Sequence, residues 1–178
     1  MLLGNLRRRN PVLWMCVTAM LTAVNVVLSM SIFSVPVPGG HLYLNDIIID
    51  TAALLLDPLG AFVVGGIGAF LGDFFFYPAP MFVSLVTHGL QAVVISLLSA
   101  HLFGGAKKRA SGGVAVIAGA LIMVLGYTVG RAFVYSTPEY ALLKLPFQFL
   151  QAGVGAAAAW LLCYPLKLGD TLSRTLRK

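Results

Sequence analysis

Hydrophobic residues run through this chain in long blocks, broken at short intervals by proline, glycine and small clusters of charge. About 20 consecutive apolar residues carry a helix across the hydrocarbon layer of a bilayer, and six blocks approach that length. The first covers about Val12 to Ile32. It is followed by Phe33 to Leu44 (FSVPVPGGHLYL), whose two prolines and two glycines forbid regular helix and predict an ordered outer loop or lid. The second block opens at Asn45 and ends near Asp57, where Asp57-Pro58-Leu59-Gly60 is a turn signal; at ~20 Å it is a short span. The third, Pro58 to about Phe76, carries Gly65, Gly68 and Gly72 as a face for close helix packing. Tyr77-Pro78-Ala79-Pro80 then turns the chain on the outer side. The fourth runs from Met81 to about Phe103, the fifth from about Gly112 to Tyr135, and the sixth from Tyr140 to about Leu166. Ser136-Thr137-Pro138-Glu139 is the outer loop between the last two. The expected architecture is all-α, a single six-helix membrane domain over residues 1–178 with both termini cytoplasmic.

Composition agrees. Hydrophobic residues make up 59% of the chain and charged residues 10%, with a mean hydropathy of +0.92. Roughly 25% charged is usual for a soluble domain. The net charge of +6 invites a nucleic-acid reading, but its placement argues otherwise. Ten of the twelve basic residues fall at three places, all flanking apolar blocks: Arg7, Arg8 and Arg9; Lys107, Lys108 and Arg109; and Lys167, Arg174, Arg177 and Lys178. That is the positive-inside signature, so the charge reports topology in a lipid bilayer and no nucleic-acid partner is implied. The apolar run after Arg9 continues too far for a cleavable signal and reads as the first span. Cys16 and Cys163 lie in apolar runs and suggest neither a disulfide framework nor a metal site.

With this topology each polar residue acquires a depth. Asn45, Asp46 and Asp50 open the second span at the outer side, and Asp73 closes the third there. His88 lies about two turns into the fourth span and Gln91 one turn deeper. Tyr127, Arg131 and Tyr135 share one face of the fifth, and Lys144, Gln148 and Gln151 share one face of the sixth. Nearly all intramembrane polar side chains thus fall in the outer half, while the inner half is Ala, Val, Leu and Gly. Tyr43, Phe74, Tyr77, Phe133 and Phe147 rim the same level. An outward-facing pocket of mixed aromatic and polar character explains the pattern. Taken singly, each residue also has a plainer account. Aromatics at span ends form interfacial belts, Asp46, Asp73 and Glu139 sit in headgroup water, and Arg131 and Lys144 snorkel outward or pair with Asp73 or Glu139. Ala19 and Ala23, with Thr18 and Thr22 beside them, make a small-residue stripe on the first span, fit either for packing within this chain or for contact with another subunit.

Catalysis has no foothold in the sequence. There is no H-E-x-x-H and no G-x-S-x-G, and Gly104-Gly105-Ala106-Lys107-Lys108 lacks the spacing of a phosphate-binding loop. His41, His88 and His101 lie on different segments at different depths, which argues against a metal site. No cofactor and no catalytic residue are expected, and any uphill transport draws its energy from elsewhere.

Several of these residues, taken in order, resemble the S components (substrate-binding membrane subunits) of energy-coupling-factor vitamin transporters. The likeness rests on Ala19-x-x-x-Ala23 in the first span, Leu44-Asn45-Asp46 opening the second, and the Leu56–Gly60 turn. It rests also on the glycine-rich third span ending in Gly72-Asp73, and on the stretch from Tyr77-Pro78 to His88-Gly89-Leu90-Gln91. Members often have Gly where Asp57 stands and Lys where His88 stands. The resemblance implies a vitamin-binding subunit of a bacterial cell-membrane importer that associates with a membrane scaffold subunit and two cytoplasmic ATPase subunits. It implies too that Ala19 and Ala23 face the scaffold, that outer loops close over the substrate, and that the whole subunit topples to deliver it.

The expected substrate contacts are Asn45, His88, Arg131, Lys144 and Gln148, with Tyr43, Tyr77 and Tyr135 as stacking or lid residues. The candidate vitamins are pyridoxine or a thiamine-precursor pyrimidine, pantothenate, riboflavin and cobalamin, the first group favoured. A stand-alone secondary carrier or channel for a small polar solute is the alternative. A protein without any ligand, its polar residues merely structural, is the third.

Overall fold

A computed structural model describes residues 4–30, 34–38, 40–102 and 108–175. The expected span ends at Ile32 and Phe103, the loop start at Phe33, and the basic residues Lys107, Arg177 and Lys178 lie outside the described residues. A four-residue helix α1 (Leu6–Arg9) leads into α2 (Pro11–Leu28), which starts on a proline, with the Asn10 side chain accepting the Leu13 N–H at 3.0 Å. The proline and glycine segment folds as an antiparallel hairpin, β1 (Val35–Val37) paired with β2 (Gly40–Leu42) in the register Val35↔Leu42, Pro36↔His41. After it come α3 (Asp46–Leu55), α4 (Pro58–Phe76), α5 (Met81–His101), α6 (Lys108–Tyr135), α7 (Pro138–Cys163) and the short α8 (Leu168–Thr175).

Five of these helices, α2, α4, α5, α6 and α7, are long and apolar enough to cross a membrane. The expected second span is different. α3 has 10 residues, about 15 Å of helix, half the depth of a bilayer. Eight of the ten are buried, because α3 packs among α2, α4, α5 and α7 and meets protein on every side. A helix surrounded by protein needs neither the length nor the all-apolar surface that lipid demands. It ends where the sequence requires: a residue before proline is pushed out of the helical region, and Leu56 and Asp57 are both extended ahead of Pro58. Asp57 leaves the α4 N-terminus uncapped by its side chain and instead takes the Trp14 Nε1–H at 2.7 Å, with Arg7 at 3.6 Å, tying α1 and α2 to the α3–α4 turn.

The end of the bundle that carries Arg7 and Arg109 is apolar inside. Leu54, Leu55, Leu56, Val64, Ile95, Ala115, Ala159 and Cys163 fill it. Two of its polar side chains close onto the backbone: Ser96 donates to Leu56 O at 2.8 Å and Ser111 to Leu98 O at 3.0 Å. At the opposite, hairpin end the buried residues turn polar.

Two irregular turns shape that end. A π-helical segment, Val63–Ile67, interrupts α4, and within it the Val64 carbonyl accepts the buried Asn25 amide of α2 at 2.6 Å. A bulge of this kind releases carbonyls from the ordinary ladder, and a side chain from a neighbouring helix takes one up. One turn on, Gly68 faces the same asparagine so closely that a Cβ there would lie 2.6 Å from Asn25 Nδ2. Of the glycine face read from the sequence, Gly68 and Gly72 thus pack against α2 and its C-terminal end, whereas Gly65 packs against α5 and α3. The second π turn, Arg131–Tyr135, closes α6.

Crowding at this contact sets an expectation. Gly68→Val should lower stability by about 1–3 kcal/mol, since the added methyls have nowhere to go in a packed seam. Gly153→Val, where a Cβ meets nothing within 4 Å, serves as the control and should be near neutral. Loss of the monodisperse species on heating in detergent reads both; equal behaviour of the two variants would refute the packing role.

Candidate functional site

The chamber at the hairpin end is built outward from Asp46, at the first turn of α3. The residue is 1% exposed, and a carboxylate so far from water must be met by donors. Gln151 of α7 donates to its Oδ2 at 2.5 Å, and Gln91 of α5 lies 3.5 Å from its Oδ1. The same Gln91 amide donates to Asp50 Oδ1 at 2.8 Å. With its NH₂ turned toward two carboxylates, Gln91 presents Oε1 to His88, whose Nδ1 lies 2.7 Å away and therefore carries the donated proton. His88 Nδ1 is also 3.7 Å from Asp46 Oδ1. Carboxylates, glutamines and histidine form one connected floor.

On one wall, Ser84 donates to Asp73 Oδ2, which leaves its oxygen to accept the Tyr127 hydroxyl. The Tyr127 ring stands edge-on to His88 with centroids 5.2 Å apart. On the other wall, Gln148 Oε1 is 3.3 Å from the Thr128 hydroxyl, and the Arg131 guanidinium lies over the Tyr135 ring at 5.3 Å. The hairpin is the roof, held to α7 at two points: Lys144 donates to the His41 carbonyl, and the Tyr43 N–H donates to Gln151 Oε1 at 3.1 Å. Gly40 has φ of +144°, a conformation that favours glycine, and the missing side chain lets the strand sit directly over Arg131 and Lys144. Burial, and then the nearby Asp73 carboxylate, push the Tyr43 phenol up to about 12, so it is a neutral hydroxyl at any physiological pH.

Between floor and roof is a cavity with about 150 Å³ of space for the centres of water molecules. Tyr43, Asn45, Tyr77, His88, Arg131, Tyr135, Lys144 and Gln148, the eight residues singled out from the sequence, all line it. So do His41, Asp73, Met123, Tyr127 and Gln151, which were not singled out as contacts. For Met123 and Tyr127 a signal was present, since 123, 127, 131 and 135 climb one helix face in steps of four. The Tyr135 hydroxyl and Asn45 Oδ1 are buried with no partner among the described residues, which leaves one group able to donate and one able only to accept.

Some expectations do not survive. Asp46 is not in headgroup water but inside the bundle. Phe74 and Phe133 do not rim the pocket; at 51% and 80% exposure they face outward, as interfacial aromatics do. Phe147 is partly buried and does not line the cavity either. Ala19 and Ala23 are exposed on the outer face of α2, so packing within this chain does not occupy them.

Known proteins with the same architecture narrow the meaning of this chamber. A solved structure described as the S component of a bacterial ECF transporter matches with a TM-score of 0.64 at 16% identity, covering 93% of this chain and 98% of the other. At that identity the likeness is one of fold. No curated protein matches the sequence. The family model described as "ECF-type riboflavin transporter, S component" matches residues 10–168, nearly the whole chain. The chain therefore belongs to the S-component family of ECF-type riboflavin transporters, substrate-binding subunits of membrane transporters.

Proposed function

We propose that this protein captures a vitamin from outside a bacterial cell in the chamber beneath the hairpin and delivers it for ATP-driven uptake. The observation that carries the reading is convergence: polar and aromatic side chains from the hairpin and from α4, α5, α6 and α7 close on one cavity, above an aliphatic core. Riboflavin, the vitamin in the family's description, takes first place among the candidates, ahead of the pyridoxine and pyrimidine group favoured by the sequence alone. Its flat ring suits a slot walled by Tyr43, Tyr77, Tyr127 and Tyr135, and its carbonyl edge suits Arg131 and Lys144. The hairpin end faces outward in this reading and the basic end lies in the cytoplasm, with both termini.

Energy comes from partners. Ala19 and Ala23, exposed at helical spacing on α2, are the surface against which a membrane scaffold subunit packs, and two cytoplasmic ATPase subunits drive the cycle through it. Among the described residues the core below Asp50 is aliphatic, which favours reorientation of the whole subunit over passage through it.

Titration of riboflavin into the purified chain, followed by quenching of flavin fluorescence, should give saturable binding at micromolar affinity or tighter, as does capture from dilute solution generally. Tyr135→Phe removes one hydroxyl and should weaken binding by about 5- to 10-fold. No saturable binding by the wild-type chain would rule out riboflavin as the cargo. For coupling, replacing Ala19 and Ala23 together by Leu should leave riboflavin affinity unchanged while abolishing uptake in cells that supply the scaffold and ATPases. Uptake persisting in cells without ATPase subunits would instead support a stand-alone carrier.

A further inference from the structure

A groove on the outside of the bundle, apart from the chamber, has the length of half a bilayer. It runs between α6 and α7 over the stretches nearest the basic end, with about 570 Å³ of space for the centres of water molecules. On α6 it extends from Gly113 to Val124 and on α7 from Phe149 to Leu161, about 17 and 18 Å of helix. The hydrocarbon of one leaflet is about 15 Å deep. Ala152 and Ala156 are buried at its floor, and a Cβ on Gly153 would meet nothing within 4 Å. Ile117, Leu121 and Leu161 are exposed along its edges. Among the described residues no charged or hydroxyl-bearing side chain lines it.

The mouth of the groove is of the opposite character. Lys108 and Arg109 are exposed at the start of α6, one turn before Gly113. Trp160, which lines the groove, donates from Nε1 to the Arg109 carbonyl at 3.0 Å, tying the indole to the basic end. That is the level at which tryptophan ordinarily meets lipid headgroups. Two acidic residues lie at this end. Asp57 is taken by Trp14 and Arg7, and Asp170 stands on α8, where Lys167 and Arg174 outnumber it.

We propose that the α6–α7 groove holds one acyl chain of an anionic phospholipid from the leaflet at the basic end, with the headgroup against Lys108 and Arg109. An apolar slot one leaflet long accounts for the tail, and the basic mouth for the charge. A partner helix crossing both leaflets fits less well, since the groove ends at mid-depth, at Val124 and Phe149. The exposed Ala19 and Ala23 belong to another side of the bundle, because α2 packs on α3 and α4. Lipid therefore holds the α6–α7 side without competing for the α2 face, and the inference is independent of the cargo.

Native mass spectrometry of the full chain in detergent tests this, with palmitoyl-oleoyl phosphatidylglycerol and phosphatidylcholine supplied in equal amounts. The chain should retain one phosphatidylglycerol in preference to phosphatidylcholine by about five-fold or more, as two basic residues near a headgroup permit. Gly153→Leu fills the groove and should abolish retention of either lipid, as should Ala157→Leu on the same lining. Val86→Leu, on the exposed face of α5, should change nothing. Lys108→Gln together with Arg109→Gln should bring the two lipids to within about two-fold of each other, whereas Arg8→Gln at a different basic cluster should not. No retained lipid, equal retention of both lipids by the wild type, or a preference unmoved by the groove substitutions would each overturn the proposal. So would a dimer of the chain that Gly153→Leu dissociates, which would give the groove to a second copy.

Discussion

Everything at the hairpin end is registered on one buried carboxylate. Removing an isolated carboxylate from water costs several kcal/mol, and in this bundle Asp46 is supplied with an amide from α7, another from α5 and the nearby His88. Its place in the first turn of α3 adds the favourable end of the helix dipole. These contacts fix the rotation and depth of two long helices at once. A one-residue slip of α7 would swing Gln151 about 100° away from Asp46, and Lys144 and Gln148 would leave the cavity with it. The same holds for α5, where Gln91, His88 and Ser84 stand on one face. The walls of the chamber are aligned because their anchors share an acceptor.

That dependence explains what could and could not be read from the sequence. The blocks of hydrophobic residues are explicit, and five became helices of spanning length, with Pro58–Phe76 at the expected bounds. The eight residues expected as contacts line one cavity, and for Arg131 with Tyr135, and Lys144 with Gln148, helical spacing alone puts each pair on a single face. α3 is where hydropathy misleads. A helix buried in protein and a helix bathed in lipid are equally apolar, and only length separates them. Phe74 and Phe133 show the cost of grouping residues by depth without rotation, since each is one or two positions from a cavity residue and so points elsewhere. Gln91 and Gln151 reveal a different gap. Their positions were visible, but not that they would serve carboxylates before any ligand, because a one-dimensional pattern does not say which polar groups meet each other.

The molecule's asymmetry follows from the same arrangement. Below Asp50 the Ser96 and Ser111 hydroxyls close back onto carbonyls, and the core among the described residues is largely aliphatic. Above it, the roof is a hairpin of two three-residue strands, tied to α7 through the Lys144 and Gln151 side chains. These two ties differ in kind. Lys144 is held by the roof alone among its described partners, whereas Gln151 grips the roof with its oxygen and Asp46 with its amide nitrogen. Lifting the hairpin would therefore free Lys144 completely but leave Gln151 anchored to the floor, ready to receive the Tyr43 N–H again. An opening of that form costs two hydrogen bonds, one of them from the buried Lys144 ammonium, roughly 2–4 kcal/mol in all, and leaves the Asp46 cluster intact. Opening downward would require breaking the Asp46 cluster and parting the aliphatic core beneath it. The unequal cost of the two routes makes the roof the cheaper way into this chamber.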